Sequence, residues 1–289
     1  MKPRVTITVG DPAGIGPEIA RKAADDPRVR EACDPILYGP PGGATFEIGM
    51  VTAAAGRAAF DAIGAAVRDA QAGVVQAIAT APVNKLAFSL AGLPWKGHTD
   101  LLAHLTGSPH VAMMFWSEPL KVVLATIHVP LADVPRLVTA ETLAAIFDLT
   151  ARELPRFGIT SPRIALAGLN PHAGEDGLLG GEEQRVLRPS VAAARARGID
   201  VAGPFPGDTV FVRASRGEFD VVIACYHDQG LIPVKLLAFG QAVNVTLGLP
   251  IIRTSVDHGT AFDIAGRGIA DPSSMIAATL LAARLALSR

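Results

Sequence analysis

The chain has 289 residues, of which 49% are apolar and 18% are charged, and this composition excludes a disordered protein. The length is enough for one large or two medium domains, each with its own core. The formal net charge is −1 at pH 7, and no cluster of Lys and Arg indicates a nucleic-acid or membrane-surface partner.

The location in the cell is indicated by three features of the sequence. The first residues lack the apolar region of a signal peptide. Charges, Gly or Pro interrupt every apolar run before the roughly 18 residues that a membrane span needs. Cys33 and Cys225 lie far apart and have no metal-ligand spacing, as in proteins of a reducing compartment. We therefore expect a cytoplasmic protein with no membrane partner.

Short apolar runs alternate with alanine-rich helical stretches along the chain. The pattern predicts strands over residues 5–9, 74–79, 121–127, 163–169 and 221–225, and helices over residues 17–24, 53–72, 140–157, 184–197 and 272–287. This alternation is typical of parallel sheets covered by helices. We predict an α/β fold with two α/β/α domains and doubly wound sheets, formed by residues 1–125 with 250–289 and by residues 126–249.

Polar local sequences interrupt this pattern where predicted strands end. They contain Gly, Pro, His, Asp and Asn and cover residues 10–18, 80–85, 97–101, 126–130, 170–175 and 226–267. Open α/β sheets bind their ligands at the carboxyl ends of strands. These segments therefore contain the candidate site residues.

Three of the seven histidines follow predicted strands almost directly: His128, His172 and His227. Parallel strands that end in His would place three imidazoles on one rim of a sheet. Three neutral imidazoles suit Zn²⁺ or a similar divalent ion and leave coordination positions open for substrate. The alternative is that each His is a polar loop residue satisfied by backbone groups.

Glycines in residues 10–18 follow the first strand and open a helix, so Gly14 and Gly16 are candidates for contact with an anionic ligand. The segment is not a G-x-G-x-x-G fingerprint, and a simple strand-to-helix turn is the alternative reading. Residues 257–268 form a long polar loop that is typical of ligand binding, or alternatively an ordered surface loop.

Two cations occur among apolar neighbours in residues 231–252 and just beyond. Lys235 and Arg253, with Asn244 between them, need an anion or other partners unless they reach the surface. Together they are suited to hold a phosphate or carboxylate. Lys85 is a candidate acid or base, and the alternative is a solvated lysine at a helix start.

The polar segments together resemble one family. The resemblance rests on Gly-Asp-Pro-Ala-Gly-Ile-Gly-Pro-Glu, Thr-Ala-Pro-Val-Asn-Lys, Gly-His-Thr-Asp, Asn-Pro-His-Ala-Gly-Glu, Gly-Pro-Phe-Pro-Gly-Asp-Thr, Tyr-His-Asp-Gln-Gly and Asp-His-Gly-Thr-Ala. In this order, and over nearly the whole chain, they are similar to the 4-hydroxythreonine-4-phosphate dehydrogenases of vitamin B6 (pyridoxine) synthesis. The loop after Asp257 also resembles that of the isopropylmalate and isocitrate dehydrogenases, which implies their fold.

The resemblance implies an NAD-linked dehydrogenase that acts on a CH–OH group and decarboxylates its product. It implies oxidation of 4-phosphohydroxy-L-threonine to 3-amino-2-oxopropyl phosphate and CO₂. It places one divalent metal, Zn²⁺ or alternatively Mg²⁺, Mn²⁺ or Co²⁺, on the three histidines above. The implied substrate contacts are His98, Thr99, Asp208, Lys235, Asn244 and Arg253.

The resemblance also implies cofactor and partner contacts. The similarity of the loop to that of the isopropylmalate dehydrogenases places cofactor contacts on His258, Gly259 and Asp263, beside the candidates Gly14 and Gly16 of the glycine turn. All five lie in a cofactor-side domain made of residues 1–125 and 250–289. A carboxylate at Asp263 favours NAD over NADP because it repels a 2′-phosphate. Asp208 matches a residue that the family supplies from a neighbouring subunit, so a homodimer with the active site at its interface is implied.

One departure concerns residues 40–50, where members of the family usually carry a much longer segment. This leaves the substrate open between the phosphorylated threonine and other hydroxy acids. The alternatives are a sugar-acid 4-phosphate and an aromatic cis-dihydrodiol carboxylate, the latter requiring an apolar pocket. A metal- or anion-binding protein without catalysis is the non-enzyme alternative.

Overall fold

A computed structural model of the chain describes residues 2–42 and 44–288. Within these residues the strands are β1 (Arg4–Thr8), β2 (Asp34–Tyr38), β3 (Ala77–Thr80), β4 (Ala112–Trp116), β5 (Lys121–Leu124), β6 (Ile164–Ala167), β7 (Val201–Phe205), β8 (Val221–Ala224), β9 (Val243–Leu247) and β10 (Ile252–Ser255). The helices are α1 (Gly16–Asp25), α2 (Pro27–Ala32), α3 (Ala53–Gln71), α4 (Lys85–Leu90), α5 (His98–Thr106), α6 (Val134–Leu137), α7 (Ala140–Glu153), α8 (Arg188–Ala196), α9 (Gly207–Ser215), α10 (His227–Ala238) and α11 (Ser273–Leu287).

The chain forms two compact units. One contains the described residues up to 111 together with those from 243 onward, and the other contains residues 112–242. The sequence placed these boundaries at 125/126 and 249/250. The difference arises because β4 pairs with β5, and β5 with β8, so both join the second unit. Strand β9 pairs with β10 and therefore belongs to the first.

The first unit contains five strands in the order β2-β1-β3-β10-β9. The pairs β2-β1, β1-β3 and β3-β10 are parallel, and β9 is antiparallel to β10. A core of buried side chains from α3, α5 and β3 includes Ile63, Ile78 and Leu101. The turn from β1 to α1 requires glycine at two positions. Gly10 has a φ of +66°, and a Cβ at Gly16 would lie 2.0 Å from the Val9 carbonyl oxygen.

The second unit contains the order β4-β5-β8-β6-β7. Strands β4 and β5 form an antiparallel pair, and β5-β8, β8-β6 and β6-β7 are parallel. Helices α9 and α10 cover this sheet with buried side chains such as Phe211, Leu231 and Val234. Because β5, β8 and β6 are adjacent and parallel, the segments that follow them emerge at one edge.

Both units are α/β, so the predicted fold class is confirmed. The predicted helix over 53–72 is α3, and that over 272–287 is α11, each within a residue or two. The largest error concerns residues 226–267, which the sequence reading treated as one irregular segment. They contain α10, β9 and β10. The helix was missed because Pro233 lies inside it, and proline rarely occurs within a helix.

Strand ends were also placed imperfectly. The strand predicted over 121–127 ends at Leu124, and that over 163–169 covers only Ile164–Ala167. The helix predicted over 184–197 begins as a π-helical turn, Glu183–Leu187, before α8. In the described part of the chain, no helix is long and apolar enough to cross a membrane.

Candidate active site

Three histidines follow three adjacent strands of the second unit. His128 comes after β5, His227 after β8 and His172 after β6, and these strands are neighbours in the sheet. The expectation that they share one rim of a parallel sheet therefore agrees with the topology. Their rings, however, do not all converge.

Two of the rings lie close together. The ring centroids of His128 and His227 are 5.6 Å apart, and both rings line a depression of about 290 Å³ with Tyr226 and Asp228. Nδ1 of His227 lies 2.7 Å from Oδ1 of Asp228. A carboxylate that orients one ring nitrogen leaves the other available to a cation, as in many metal sites. The pair therefore fits two ligand positions of a divalent ion.

The third ring lies apart from this pair. His172 lines a neighbouring depression of about 550 Å³ with Asp208 and Gln229, and its Nδ1 is 3.4 Å from a carboxylate oxygen of Glu175. Residues 2–42 and 44–288 contain no group of three or more His, Cys, Asp or Glu side chains arranged to hold a metal ion. The three-histidine centre is thus not assembled in this conformation, and the ligand set stays a prediction.

The position of His172 follows from its local backbone. Residues 172–176 all have positive φ values, between 43° and 81°, although only Gly174 is a glycine. For residues with a Cβ this left-handed conformation costs about 1–2 kcal/mol each. Such a turn directs the His172 side chain, which is 67% exposed, toward solvent beside α9 and α10.

A buried carboxylate fixes the start of this turn. Oε1 of Glu183 accepts hydrogen bonds from the backbone N–H groups of Leu169 and Asn170, at 2.9 and 2.7 Å. Its Oε2 accepts from Nδ2 of Asn170 at 2.9 Å. Glu183 is thereby satisfied by neutral donors. The chain is held where it leaves β6, and His172 lies just beyond that anchor.

Among the described residues of the first unit, one buried cation has no carboxylate partner. Arg253 on β10 is 2% exposed, and its guanidinium donates to Oγ1 of Thr80 from Nε (3.2 Å) and Nη2 (2.8 Å). Nη1 donates to Oγ1 of Thr246 at 2.9 Å. Within the described part of the chain no Asp or Glu forms an ion pair with Arg253. Burial lowers the pKa of Arg253 to about 9, so it remains a cation at neutral pH.

Several buried polar atoms of the same unit lack a hydrogen-bond partner, and two of them belong to candidate substrate contacts. Nε2 of His98, at the start of α5, and Oδ1 of Asn244, on β9, are buried and have no hydrogen-bond partner. Burial, and next the charge of Arg253, hold the pKa of His98 well below its usual range, so its ring is neutral at pH 7. Buried polar atoms without partners mark places where a ligand can supply them. We call His98, Asn244 and Arg253 the anion site; Thr99 follows His98 in α5 and is partly exposed.

The remaining candidates are placed singly. Lys235 is partly exposed on α10, and Asp208 is exposed in the first turn of α9 beside His172. Lys85 is exposed as the first residue of α4, whose start is capped by the Asn84 side chain. The position of Lys85 agrees with its alternative reading as a solvated helix-start lysine.

The glycine turn and the polar loop meet in the first unit. The Ile15 N–H donates to the Thr260 carbonyl at 3.0 Å, and a Cβ at Gly14 would lie 2.8 Å from the same oxygen. His258, Gly259 and Asp263 are exposed on this loop. The turn and the loop therefore form one continuous surface that carries the candidate cofactor residues.

A buried acid lies within the glycine turn. Oδ1 of Asp11 accepts from the Ala13 N–H at 2.9 Å, while Oδ2 is buried without a partner. Burial raises the pKa of this carboxyl, and the hydrogen bond from Ala13 opposes that effect.

The far end of the loop is tied to α1 by an ion pair. Glu18 accepts from the backbone N–H groups of Gly268 (3.2 Å) and Ala270 (2.9 Å), and Lys22 donates to the carbonyls of the same two residues at 2.9 Å. Glu18 and Lys22 also bond each other at 2.8 Å. The hydrogen bond from Lys22 lowers the pKa of Glu18, which is therefore charged at neutral pH.

We expect Glu18→Gln to weaken cofactor binding because it removes the charge that holds Lys22 and the loop together. Loss of a partly exposed, charge-assisted bond typically costs about 1 kcal/mol, or roughly a fivefold rise in KM for NAD. Steady-state kinetics with NAD as the varied substrate measure this effect. Glu31→Gln, on α2, is the control, and equal KM values for both variants would contradict the assignment.

Sequence reasoning missed the residues that hold these groups in place. Thr80, Thr246, Glu18 and Glu183 were not singled out, although the first three lie inside segments that were. Nothing in the local sequence indicates that Thr80 contacts a residue 173 positions away.

The described units are α/β and contain a candidate anion site, and comparison with known proteins gives the family. The family model described as pyridoxal phosphate biosynthetic protein PdxA matches residues 17–282. The chain belongs to this family. The predicted family and enzyme class, a dehydrogenase acting on a CH–OH group, are confirmed, and membership implies an NAD-type cofactor and a small-molecule substrate.

Relatives cover nearly the whole chain. The 4-hydroxythreonine-4-phosphate dehydrogenase of Desulforapulum autotrophicum is 48% identical over 324 aligned positions, covering 98% of this chain and 95% of the relative. The D-threonate 4-phosphate dehydrogenase of Cupriavidus necator is 43% identical, and the alignment covers 99% of this chain and 98% of the relative. Among solved structures, the 4-hydroxythreonine-4-phosphate dehydrogenase of Klebsiella pneumoniae matches with a TM-score of 0.89 at 42% identity. The match covers 99% of this chain and 98% of that one.

The first of these alignments also concerns the shortened segment. Its 324 positions exceed the 289 residues of this chain, so the relative contains internal residues that the chain lacks. The sequence reading placed the missing stretch within residues 40–50, of which residue 43 lies outside the described residues. That placement stays a prediction.

Proposed function

We propose that the chain oxidises a small phosphorylated hydroxy acid with NAD, and that 4-phosphohydroxy-L-threonine is the substrate. The observation that carries this proposal is the buried Arg253 with neutral partners alone. An unpaired buried cation is costly, so its retention is explained by an anionic ligand. The names of the relatives, which act on two different 4-phosphates, support the same substrate class.

The reaction balances as follows. The substrate C–H hydrogen leaves with its electron pair to NAD, and the hydroxyl loses its proton, giving a ketone and NADH. The ketone lies β to the carboxylate, so the bond to CO₂ can break with its electrons entering an enolate. A proton then completes 3-amino-2-oxopropyl phosphate. The residues of the anion site bind and orient the phosphate through these steps.

The alternative substrates differ at the carbon skeleton. D-threonate 4-phosphate keeps the phosphate, so the anion site fits it equally well, and the relative from Cupriavidus necator supports it. An aromatic cis-dihydrodiol carboxylate is also an anion that Arg253 can bind, but its ring would need an apolar pocket beside that buried cation. The phosphorylated compounds are favoured because the relatives at 48% and 43% identity are named for two 4-phosphates.

We propose His128, His172 and His227 as the ligands of one divalent metal, with Zn²⁺ favoured by imidazole donors and Mg²⁺, Mn²⁺ or Co²⁺ as alternatives. The 5.6 Å separation of the His128 and His227 rings supports two of these ligands. His172 would have to leave its left-handed turn to join them. A bound metal lowers the pKa of a substrate hydroxyl and stabilises an enolate.

Cofactor choice is proposed from the polar loop. Gly14, Gly16, His258 and Gly259 would contact NAD, and the carboxylate of Asp263 would accept from the adenosine ribose hydroxyls. A 2′-phosphate would be repelled there, so NAD should be preferred over NADP. The exposed position of Asp263 beside the glycine turn supports this proposal.

An NADH-forming assay with added divalent metals tests the function. The panel contains 4-phosphohydroxy-L-threonine, D-threonate 4-phosphate, both compounds without phosphate, and an aromatic cis-dihydrodiol carboxylate. We expect turnover with a phosphorylated compound and a loss of at least about 10³-fold in kcat/KM without the phosphate. Turnover of the dihydrodiol carboxylate alone would overturn the proposal.

We propose that two copies of the chain form a dimer through α10. This helix exposes Ile232 (59%), Leu236 (81%) and, just beyond its end, Phe239 (80%). Ile232 and Leu236 line the same depression as Asp208 and His172. A second copy seated on this face would cover the apolar side chains. It would also bring Asp208 of one copy toward the active site of the other, as the family resemblance implies.

Leu236→Lys is expected to convert the dimer to a monomer because it places a charge in the centre of a buried apolar face. Sedimentation velocity at micromolar protein measures the change, and activity should fall by at least about tenfold with it. Leu287→Lys, at another exposed leucine, is the control. A Leu236→Lys protein that sediments as the wild type would contradict the α10 interface.

A further inference from the structure

We propose that Thr80 is a positioning residue that orients the guanidinium of Arg253 through a neutral oxygen and keeps its charge available to the substrate phosphate. The inference rests on the proposed function, since it requires that Arg253 binds an anion. It adds a second layer to the anion site, on the strand next to Arg253 in the sheet.

The contact geometry carries the inference. Strands β3 and β10 are parallel neighbours, and both Thr80 and Arg253 are buried. Nε and Nη2, on one edge of the guanidinium, both donate to the single oxygen Oγ1 of Thr80, at 3.2 and 2.8 Å. Two bonds to one atom fix the plane of the guanidinium and its rotation within that plane.

The Thr80 hydroxyl proton is directed toward acceptors on β10, the Ser255 hydroxyl at 2.9 Å and the Thr254 backbone carbonyl at 3.4 Å. A hydroxyl has one proton to donate and two lone pairs to accept with. Oγ of Ser255 donates to the Thr80 backbone carbonyl at 3.0 Å, so it can accept the Thr80 proton across their 2.9 Å contact. Both lone pairs of Thr80 Oγ1 then face Arg253. Each hydrogen-bonding position of this oxygen is used.

The guanidinium has donors left over. It carries five N–H bonds, of which two go to Thr80 and one, from Nη1, to Thr246. Two N–H bonds, one on Nη1 and one on Nη2, therefore remain for a ligand. Two such donors are what a phosphate or carboxylate accepts in a bidentate contact.

The chemical type of the partner matters as much as its position. A carboxylate at position 80 would orient Arg253 equally well but would neutralise it in a buried site, where an ion pair is strong. A hydroxyl satisfies the donors and leaves the full charge to attract an anion. Thr80 and Thr246 thus hold the cation without competing for it.

The test compares three variants of the full-length protein. Thr80→Val keeps the shape of the side chain and removes the acceptor, and Thr80→Ser restores a hydroxyl. Thr8→Val is the matched control. Thr8 is equally buried and lies beside Thr80 in register on β1, and its hydroxyl has no hydrogen-bond partner among the described residues. Binding of inorganic phosphate is measured by calorimetry, and KM and kcat are measured with the phosphorylated substrate.

We expect Thr80→Val to weaken phosphate binding and raise KM by about tenfold while kcat stays within about twofold. Thr80→Ser should return both values to within about twofold of the wild type, as should Thr8→Val. If Thr80→Val does not fold, Thr246→Val should likewise raise KM without changing kcat, and its rise in KM should be smaller.

The contrary outcomes separate this inference from the proposed function. If the wild type binds phosphate and Thr80→Val binds it equally well, the positioning role is wrong and the anion site stands. An equal loss in Thr80→Val and Thr8→Val would indicate a general packing effect and would also overturn the role. If the wild type binds neither phosphate nor a phosphorylated substrate, the anion site itself is wrong.

Discussion

Arg253→Met is expected to raise KM for the phosphorylated substrate by about 10²- to 10³-fold. Removing one partner of a buried, hydrogen-bonded charge pair costs about 2–5 kcal/mol, and each 1.4 kcal/mol is a factor of ten. Without Arg253 the anion site retains only the neutral His98 and Asn244 as ligand contacts. The measurement is the steady-state kinetics of NADH formation, with inorganic phosphate binding as an independent readout.

The same substitution should leave the fold intact or make it more stable. In the absence of ligand, Arg253 is a buried cation whose hydrogen bonds within the described part of the chain go to hydroxyl groups. Replacing a buried charge by an apolar side chain of similar volume is often neutral or stabilising. The melting temperature of Arg253→Met is therefore expected to equal or exceed that of the wild type while substrate binding is lost.

Arg253→Lys is the matched control because it keeps the charge and loses the planar, two-pronged donor. It should bind phosphate more weakly than the wild type but better than Arg253→Met. An unchanged KM in Arg253→Met would remove the observation on which the proposed substrate class depends.

The second large effect concerns the metal. We expect the purified protein, loaded with Zn²⁺ and desalted, to retain one ion per chain, and His227→Ala and His128→Ala to lose it. Removal of an orienting partner alone lowers metal affinity by 10- to 100-fold, so loss of a direct ligand should cost at least about 10²-fold. Metal content by mass spectrometry of the elements measures this without reference to turnover.

His110→Ala is the control, since His110 is exposed and lies outside both depressions. His172→Ala distinguishes two ligand sets. Loss of the ion in this variant would show that His172 leaves its left-handed turn to become a ligand. Full retention would show that the third ligand is another group, and retention in His227→Ala would refute the centre.

Much of the fold could be predicted because it depends on local patterns. Helix α3 is long and apolar on one side, helix α11 is apolar around most of its surface, and such elements are defined by their own residues. The parallel orientation of β5, β8 and β6 agrees with the expected strand–helix alternation, whereas their order in the sheet, which departs from chain order, was not predicted. Helix α10 was missed because Pro233 obscured it, and its stability comes from packing of Leu231 and Val234 on the sheet.

The site was predictable to a different extent. Histidines after parallel strands were expected on one rim, and topology alone places them there. Ring orientation depends on backbone dihedrals, and nothing in Asn-Pro-His-Ala-Gly-Glu indicates a left-handed run at 172–176. The hydroxyl partners of Arg253 come from β3 and β9, and their contacts exist only once those strands are aligned in the sheet.

The buried Asp11 makes the free energy of unfolding depend on pH. Its carboxyl is buried, and its raised pKa means that the folded state prefers the protonated form. Protonated Asp11 therefore adds to the free energy of unfolding below pH 3.8, the ordinary pKa of an aspartate. This stabilisation is lost as the pH rises through the raised pKa of the folded state. Asp11→Asn keeps the oxygen that accepts from Ala13 and cannot ionise. In urea denaturation, the free energy of unfolding of Asp11→Asn should rise relative to that of the wild type between pH 4 and pH 8. A constant difference across that range would show that Asp11 ionises without penalty.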